Sequence, residues 1–281
     1  MIDTHIHLLE PDRFTYDWTK DLPALSGRFD LSDYQNASRD TGIQAGVFME
    51  VDCEEFADEA RYFCTLAEQP GSLIQAVVAA ARPESPDFEQ SIEAIAHPRL
   101  TGIRRVLHTQ PDELSQTSRF RENVNRLGRL GLTFDLCVLQ RQLPIALELV
   151  RACPQTTFIL DHCGVPDIAQ NDAPAGEGFL AWQKAIRVLA AEPNVNGKIS
   201  GISAYAPAPL RNAQALRPYT DTMFDAFGAP RLVWGGDWPV VNLGDGLLAW
   251  STTTRELLSG LTESERFQIL TTNAKKIYRI P

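Results

Sequence analysis

The chain begins MIDTHIHLLE, with His5 and His7 one residue apart in a sequence that holds five histidines in 281 residues. A chain end ordinarily frays. Scarce ionisable side chains belong there if the segment is a buried strand whose inner face carries chemistry. Other apolar runs close on ionisable residues in the same way. Glu50 and Asp52 follow QAGVFM, Arg104, Arg105 and His108 lie in and after TGIRRVL, and Asp135 lies in LTFDLCV. Asp161 and His162 end TTFILDHC, Lys198 lies in VNGKIS, and Asp237 ends RLVWGGDW. Lys, Glu, Arg and Asp are seldom buried without a partner, so packing alone does not explain this pattern. Imidazoles and carboxylates are the side chains of proton transfer. One HxH pair, or one Asp in a GGDWP turn, has a purely structural explanation. The conjunction of HxH on the first run, His162 on the sixth and Asp237 on the eighth points to a site.

Such a site needs elements that bring the runs together. IDTHIHL alternates, which as a strand would place Asp3, His5 and His7 on one face and Ile2, Thr4, Ile6 and Leu8 on the other. Seven further β-rich runs follow, at 44–51, 72–82, 101–107, 132–138, 156–163, 195–200 and 231–238. Several are almost continuously apolar, the pattern of strands buried on both faces. Helical patterns separate them: EEFADEARYFCTLAEQ, then SPDFEQSIEAIA with Ser85 as N-cap and Pro86 at the first helical position. RFRENVNRLGRLG ends on a glycine stop, and LPIALELVRAC, GFLAWQKAIRVLAAE and LRPYTDTMFDAFG continue the alternation. The closing TESERFQILTTNAKKIY spaces Thr262 and Glu265 as a capping box.

Eight strand–helix units in a chain of this length predict an α/β fold, a single (β/α)8 TIM barrel domain over residues 1–281. A doubly wound open sheet is the competitor, but no GxGxxG opens the first turn. In a barrel the C-terminal strand ends meet at one mouth, and the long irregular stretches 8–43 and 164–178 both follow such ends.

The bulk numbers restrict partners. The 26 Lys and Arg against 36 Asp and Glu give a net charge of −10, which argues against nucleic acid. No apolar run approaches the roughly 20 residues that span a bilayer, and no secretion signal is evident, so no membrane partner is expected. Five cysteines without a CxxC pair fit reduced thiols in a cytoplasmic protein.

DTHIHL (3–8), LDHCG (160–164) and WGGDWPV (234–240), in that order, resemble the amidohydrolase superfamily in its amidohydrolase 2 branch, and TTNAKKIY resembles that branch's closing helix. GIRR (102–105), KISG (198–201) and YDW (16–18) are most similar to the sugar-lactone hydrolases of the branch, the L-fuconolactonase and L-rhamnonolactonase group. The resemblance covers the whole chain. It implies hydrolysis of the ring ester of a sugar lactone, the expected small-molecule partner, with His5, His7, His162 and Asp237 as catalytic set. The same four residues would be ligands of one divalent metal, Zn²⁺ first, which the reaction need not require. Asp237 would activate water, and the histidines would polarise the carbonyl. Arg104, Lys198, Glu50, His108, Trp18 and Trp238 would bind substrate, with Asp135 as a further acceptor and Tyr16 in the apolar wall. Two-metal members of the superfamily carry a carboxylated lysine or glutamate on strand four and a histidine on strand five. Here strand four offers Arg104, Arg105 and His108 and strand five offers Asp135, so a binuclear centre is not expected. The alternatives are a metal-dependent decarboxylase of aromatic acids and a catalytically silent binding barrel.

Overall fold

A computed structural model describes all 281 residues. Eight parallel strands form one sheet in chain order: β1 (Ile2–Ile6), β2 (Ala45–Met49), β3 (Ile74–Ala80), β4 (Leu100–Val106), β5 (Thr133–Cys137), β6 (Phe158–Leu160), β7 (Val195–Ile199) and β8 (Leu232–Trp234). The ring closes just past β8, where the His7 amide donates to the Trp238 carbonyl at 2.7 Å and the Asp237 amide to the His5 carbonyl at 2.9 Å. The fold is a (β/α)8 TIM barrel.

The helices are α1 (Leu31–Ser38), α2 (Phe56–Glu68), α3 (Phe88–Ala94), α4 (Ser118–Arg129), α5 (Leu143–Ala152), α6 (Glu177–Ala190), α7 (Ile202–Tyr205), α8 (Ala213–Phe227), α9 (Gly246–Leu257), α10 (Glu263–Phe267) and α11 (Asn273–Ile277). None is long and apolar enough to cross a membrane. The large core lies between sheet and helices. A second, smaller core fills the barrel, where Ile2, Val47, Val78, Ile159 and Val233 meet Tyr278 and Ile280 from the chain's end. Tyr278 and Ile280 therefore pack inside the barrel against Ile2 of β1.

Four expectations are corrected. Along β1, Asp3 pairs with Gly46 and Ile6 with Phe48, so three steps on β1 match two on β2. This bulge breaks the alternation. His5 turns into the barrel, but Asp3 does not share its face: its carboxylate accepts from Tyr34 of α1 at 2.8 Å and from the Gly236 amide at 2.7 Å. Second, the helix read from Ser85 begins at Phe88, and the Ser85 hydroxyl instead accepts from the Asp87 amide at 3.2 Å. Third, the closing helical pattern is split by a π-turn at Gln268–Thr272 between α10 and α11, although its Thr262–Glu265 capping box is formed. Finally, α1 and α9 are present where no helix was expected.

Candidate active site

Short strands and strained turns aim the site. Strands β6 and β8 stop before their functional residues. His162 then has φ +53° and Asp237 φ +59°. Left-handed backbone is costly for residues other than glycine and persists where the surroundings enforce it. Glycine clears space for the rings. A Cβ on Gly201 would stand 2.5 Å from His162 Nδ1, and one on Gly235 would stand 2.7 Å from His5 Cβ.

His5, His7, His162 and Asp237 are all buried, and the structure brings them together. His7 Nε2 lies 3.5 Å from Asp237 Oδ1, His5 Nε2 lies 3.8 Å from the same oxygen, and His162 Nδ1 lies 3.9 Å from Asp237 Oδ2. A hydrogen bond fixes the His7 proton. A carbonyl only accepts, so His7 Nδ1 must donate to Met49 O at 3.0 Å, leaving a lone pair on Nε2. Arg104 Nη1 lies 3.2 Å from His5 Nε2 and Lys198 Nζ 3.2 Å from His5 Nδ1, with Asp161 Oδ1 3.5 Å from the same Nδ1. Burial lowers the pKa of all three rings, that of His7 to about 3, so they are neutral. Burial raises Asp237 to about 6.

A charged network lies beneath. Glu50 Oε1 accepts from Arg104 Nε at 2.6 Å. Lys198 Nζ donates to Asp135 Oδ1 at 2.7 Å and is 2.8 Å from Asp161 Oδ1. Tyr278, from the capping C-terminal segment, donates to Asp135 Oδ1 at 2.9 Å. Burial alone would raise Asp161, yet Lys198 and His5 hold it well below the usual carboxylate range. Arg105 points the other way and pairs with Glu84 at 2.8 Å, so Arg104 is the arginine that faces the site.

Above the cluster opens a cavity of about 260 Å³ lined by His7, Arg104, His108, His162 and Asp237, with Trp18 on its wall. Four of the residues expected at the substrate do not line this cavity. Lys198 and Asp135 are fully buried in each other's company, Glu50 is spent on Arg104, and Trp238 packs on Phe29 and Tyr34 with ring centroids 5.5 and 5.4 Å away. His5 also stands behind the wall. Tyr16 is buried, its hydroxyl accepting from the Glu10 amide at 3.2 Å. Sequence reasoning passed over Tyr278 and Tyr205, whose ring meets His162 edge-on at 5.9 Å. For the two tyrosines no motif signalled the position. A larger hollow of about 380 Å³ at the opposite end of the barrel, lined by Arg231, Lys276 and Arg279, contains none of these groups.

The cluster fits a divalent cation. Both Asp237 oxygens are buried without a hydrogen-bond donor. The His7 Nε2 lone pair faces one of them, and two acceptors 3.5 Å apart call for a proton or a cation between them. Ligand atoms of His5, His162 and Asp237 all lie within 4.8 Å of one another. Four buried carboxylates (Glu50, Asp135, Asp161, Asp237) face two buried cations (Arg104, Lys198), an imbalance that a dication would neutralise.

The amidohydrolase family model matches residues 2–280. The chain belongs to the amidohydrolase family. This amidohydrolase is 30% identical over 288 residues to the L-fucono-1,5-lactonase of Burkholderia ambifaria, covering 99% of this chain and 95% of that one. It is similar to a zinc-bound amidohydrolase from Burkholderia multivorans, with 25% identity and a TM-score of 0.89 over 100% of this chain and 99% of the other. The 5-carboxyvanillate decarboxylase of Sphingomonas paucimobilis, at 15% identity and a TM-score of 0.64 over 100% and 99% of the two chains, shares the fold.

Proposed function

We propose that the protein hydrolyses the ring ester of a sugar lactone. The observation that carries this reading is Asp237, a buried carboxylate with no donor, set among neutral imidazoles at the floor of a cavity sized for one small ring. The likeness to an L-fucono-1,5-lactonase supports it.

Asp237 takes a proton from water, and the water oxygen attacks the lactone carbonyl. The Arg104 guanidinium, held by Glu50, donates to the developing oxyanion. As the tetrahedral intermediate collapses, the ring C–O bond breaks, and Asp237 returns its proton to the leaving alkoxide. His7 and His162 flank Asp237 at 3.5 and 3.9 Å, and the Lys198–Asp135–Asp161 network holds His5 behind them. His5, His7, His162 and Asp237 would hold one zinc ion, which when bound supplies a Lewis acid for the carbonyl and lowers the pKa of water. His7 has the tautomer of such a ligand, its second nitrogen tied to a backbone carbonyl.

The test is a pH-indicator assay over a panel of aldonolactones and aromatic carboxylates, with and without chelator, beside metal analysis and thermal melting. The reading expects lactone opening, about one divalent ion per chain, and a lower Tm once that ion is removed. Release of CO₂ from an aromatic acid with no lactone opened would overturn it.

A further inference from the structure

The hollow of about 380 Å³ at the other end of the barrel lies where the later strands begin. Thr133 opens β5, Thr157 precedes β6, Asn196 lies in β7 and Arg231 precedes β8. Lys276 of α11 and Arg279 just beyond it complete the wall. Three cations therefore line this hollow, and no carboxylate does. The chain as a whole has 36 acidic residues against 26 basic ones, so the hollow reverses the sign of the molecule.

The arginines are oriented but not neutralised. Arg231 Nη1 donates to the backbone carbonyls of Glu192 and Val195, both at 3.2 Å. Arg279 donates to the carbonyls of Gly131 and Leu100, the latter at 2.9 Å. Carbonyls set the planes of both guanidiniums and leave their charges unbalanced. The Glu192 carboxylate is taken by Arg151 at 2.7 Å. Burial lowers the Arg231 pKa, and no neighbouring carboxylate raises it again. Lys276 lines the hollow without an ion pair to any carboxylate of the chain. A concave surface lined by one sign of charge concentrates ions of the other sign. One carboxylate would balance only one of the three charges. A phosphate monoester brings about −1.5 to −2 at neutral pH and three strong acceptor oxygens, which guanidinium forks and an ammonium suit. The volume is in the range of small-molecule sites and leaves room for an organic part.

We propose that this hollow binds a phosphorylated small molecule, with the phosphoryl group among Arg231, Lys276 and Arg279 and the organic part towards Gln155 and Thr157. The inference is independent of the lactonase reading. A bound anion ties the last residues of the chain to the starts of the strands. Tyr278, between the two C-terminal cations, is buried against Asp135, so occupancy holds that packing in place and stabilises the fold.

The experiment is thermal melting and titration calorimetry of the metal-loaded protein with inorganic phosphate and with glycerol 3-phosphate, against sodium chloride at equal ionic strength. Both phosphates should raise Tm saturably, by about 2–5 °C at ten times Kd, and chloride should not. Lys276→Gln removes a charge that has no partner in the chain, so the variant should melt like wild type without phosphate. It should bind both phosphates about tenfold or more weakly. Arg279→Gln should weaken them at least as much. The cavity beside Asp237 is the competing site for phosphate, and the variants separate the two. Unchanged affinity in Lys276→Gln would overturn the inference, as would an equal effect of chloride at the same ionic strength.

Discussion

Asp237 and Glu59 are both buried carboxyls without a hydrogen-bond donor, at 1% exposure each, but their settings differ. Asp237 faces imidazoles and Arg104 at a cavity. Glu59 sits on α2 away from it, and burial raises its pKa well above 4.5. An acid whose folded pKa is raised binds its proton more tightly in the fold. Its contribution to stability is therefore full below about pH 4.5 and lost as pH rises towards the folded value. Replacing it with a neutral chain of similar length removes that loss. Glu59→Met should gain stability over wild type on the order of 1–3 kcal/mol near neutrality and much less at pH 4.5, measured by urea unfolding at both. Equal gains at the two pH values would contradict this account. Site residues were legible where scarcity and position coincided, as at His5, His7, His162 and Asp237. Roles were less so. Lys198, Asp135 and Glu50 could be read as buried ionisable groups, but only the packing shows that they satisfy one another and Arg104. Alternation on β1 misplaced Asp3 because a bulge leaves no mark in a seven-residue pattern.

Among the elements, each of the eight β-rich runs contains a strand, since long apolar runs between helical periods survive small errors of register. Element ends were harder. Runs six and eight continue through DHC and GGD, yet their strands stop at Leu160 and Trp234, because left-handed turns there turn His162 and Asp237 to the site. Helix α9 holds a buried stripe of Leu247, Trp250, Thr254 and Leu257 at helical spacing, masked by three consecutive threonines of low helix propensity. Helix α1 is closed by an Asp30–Asp33 box, a cap carried by aspartates rather than the Ser/Thr-x-x-Glu form. The turn after β7 shows how an element serves the site. Gly201 has φ +70° and no room for a Cβ beside His162. Gly201→Ala should lower kcat about tenfold or more and cost roughly 1–3 kcal/mol of stability. Gly260→Ala, with nothing within 4 Å of the added methyl, is the control and should leave both unchanged. Melting curves and steady-state kinetics on the pair decide the matter; two indistinguishable variants would contradict the role given to Gly201.

At the scale of the whole molecule, the barrel joins its two chain ends to the chemistry. The first strand supplies His5 and His7, and the last residues close the interior, where Tyr278 reaches Asp135 and so the network under His5. That closure packs the base of a site assembled from both ends of the sequence: the Met49 carbonyl holds His7, Arg104 and Lys198 stand against His5, and the mouth is open. The central claim is that this cluster, with Asp237 as base, opens a lactone. Its most direct test is kcat for wild type and Asp237→Asn on the best lactone of the panel, with Tm recorded for both. A fall in kcat on the order of 10² or more in a variant that remains folded is the predicted result. A folded Asp237→Asn protein that opens the lactone at the wild-type rate would contradict the account.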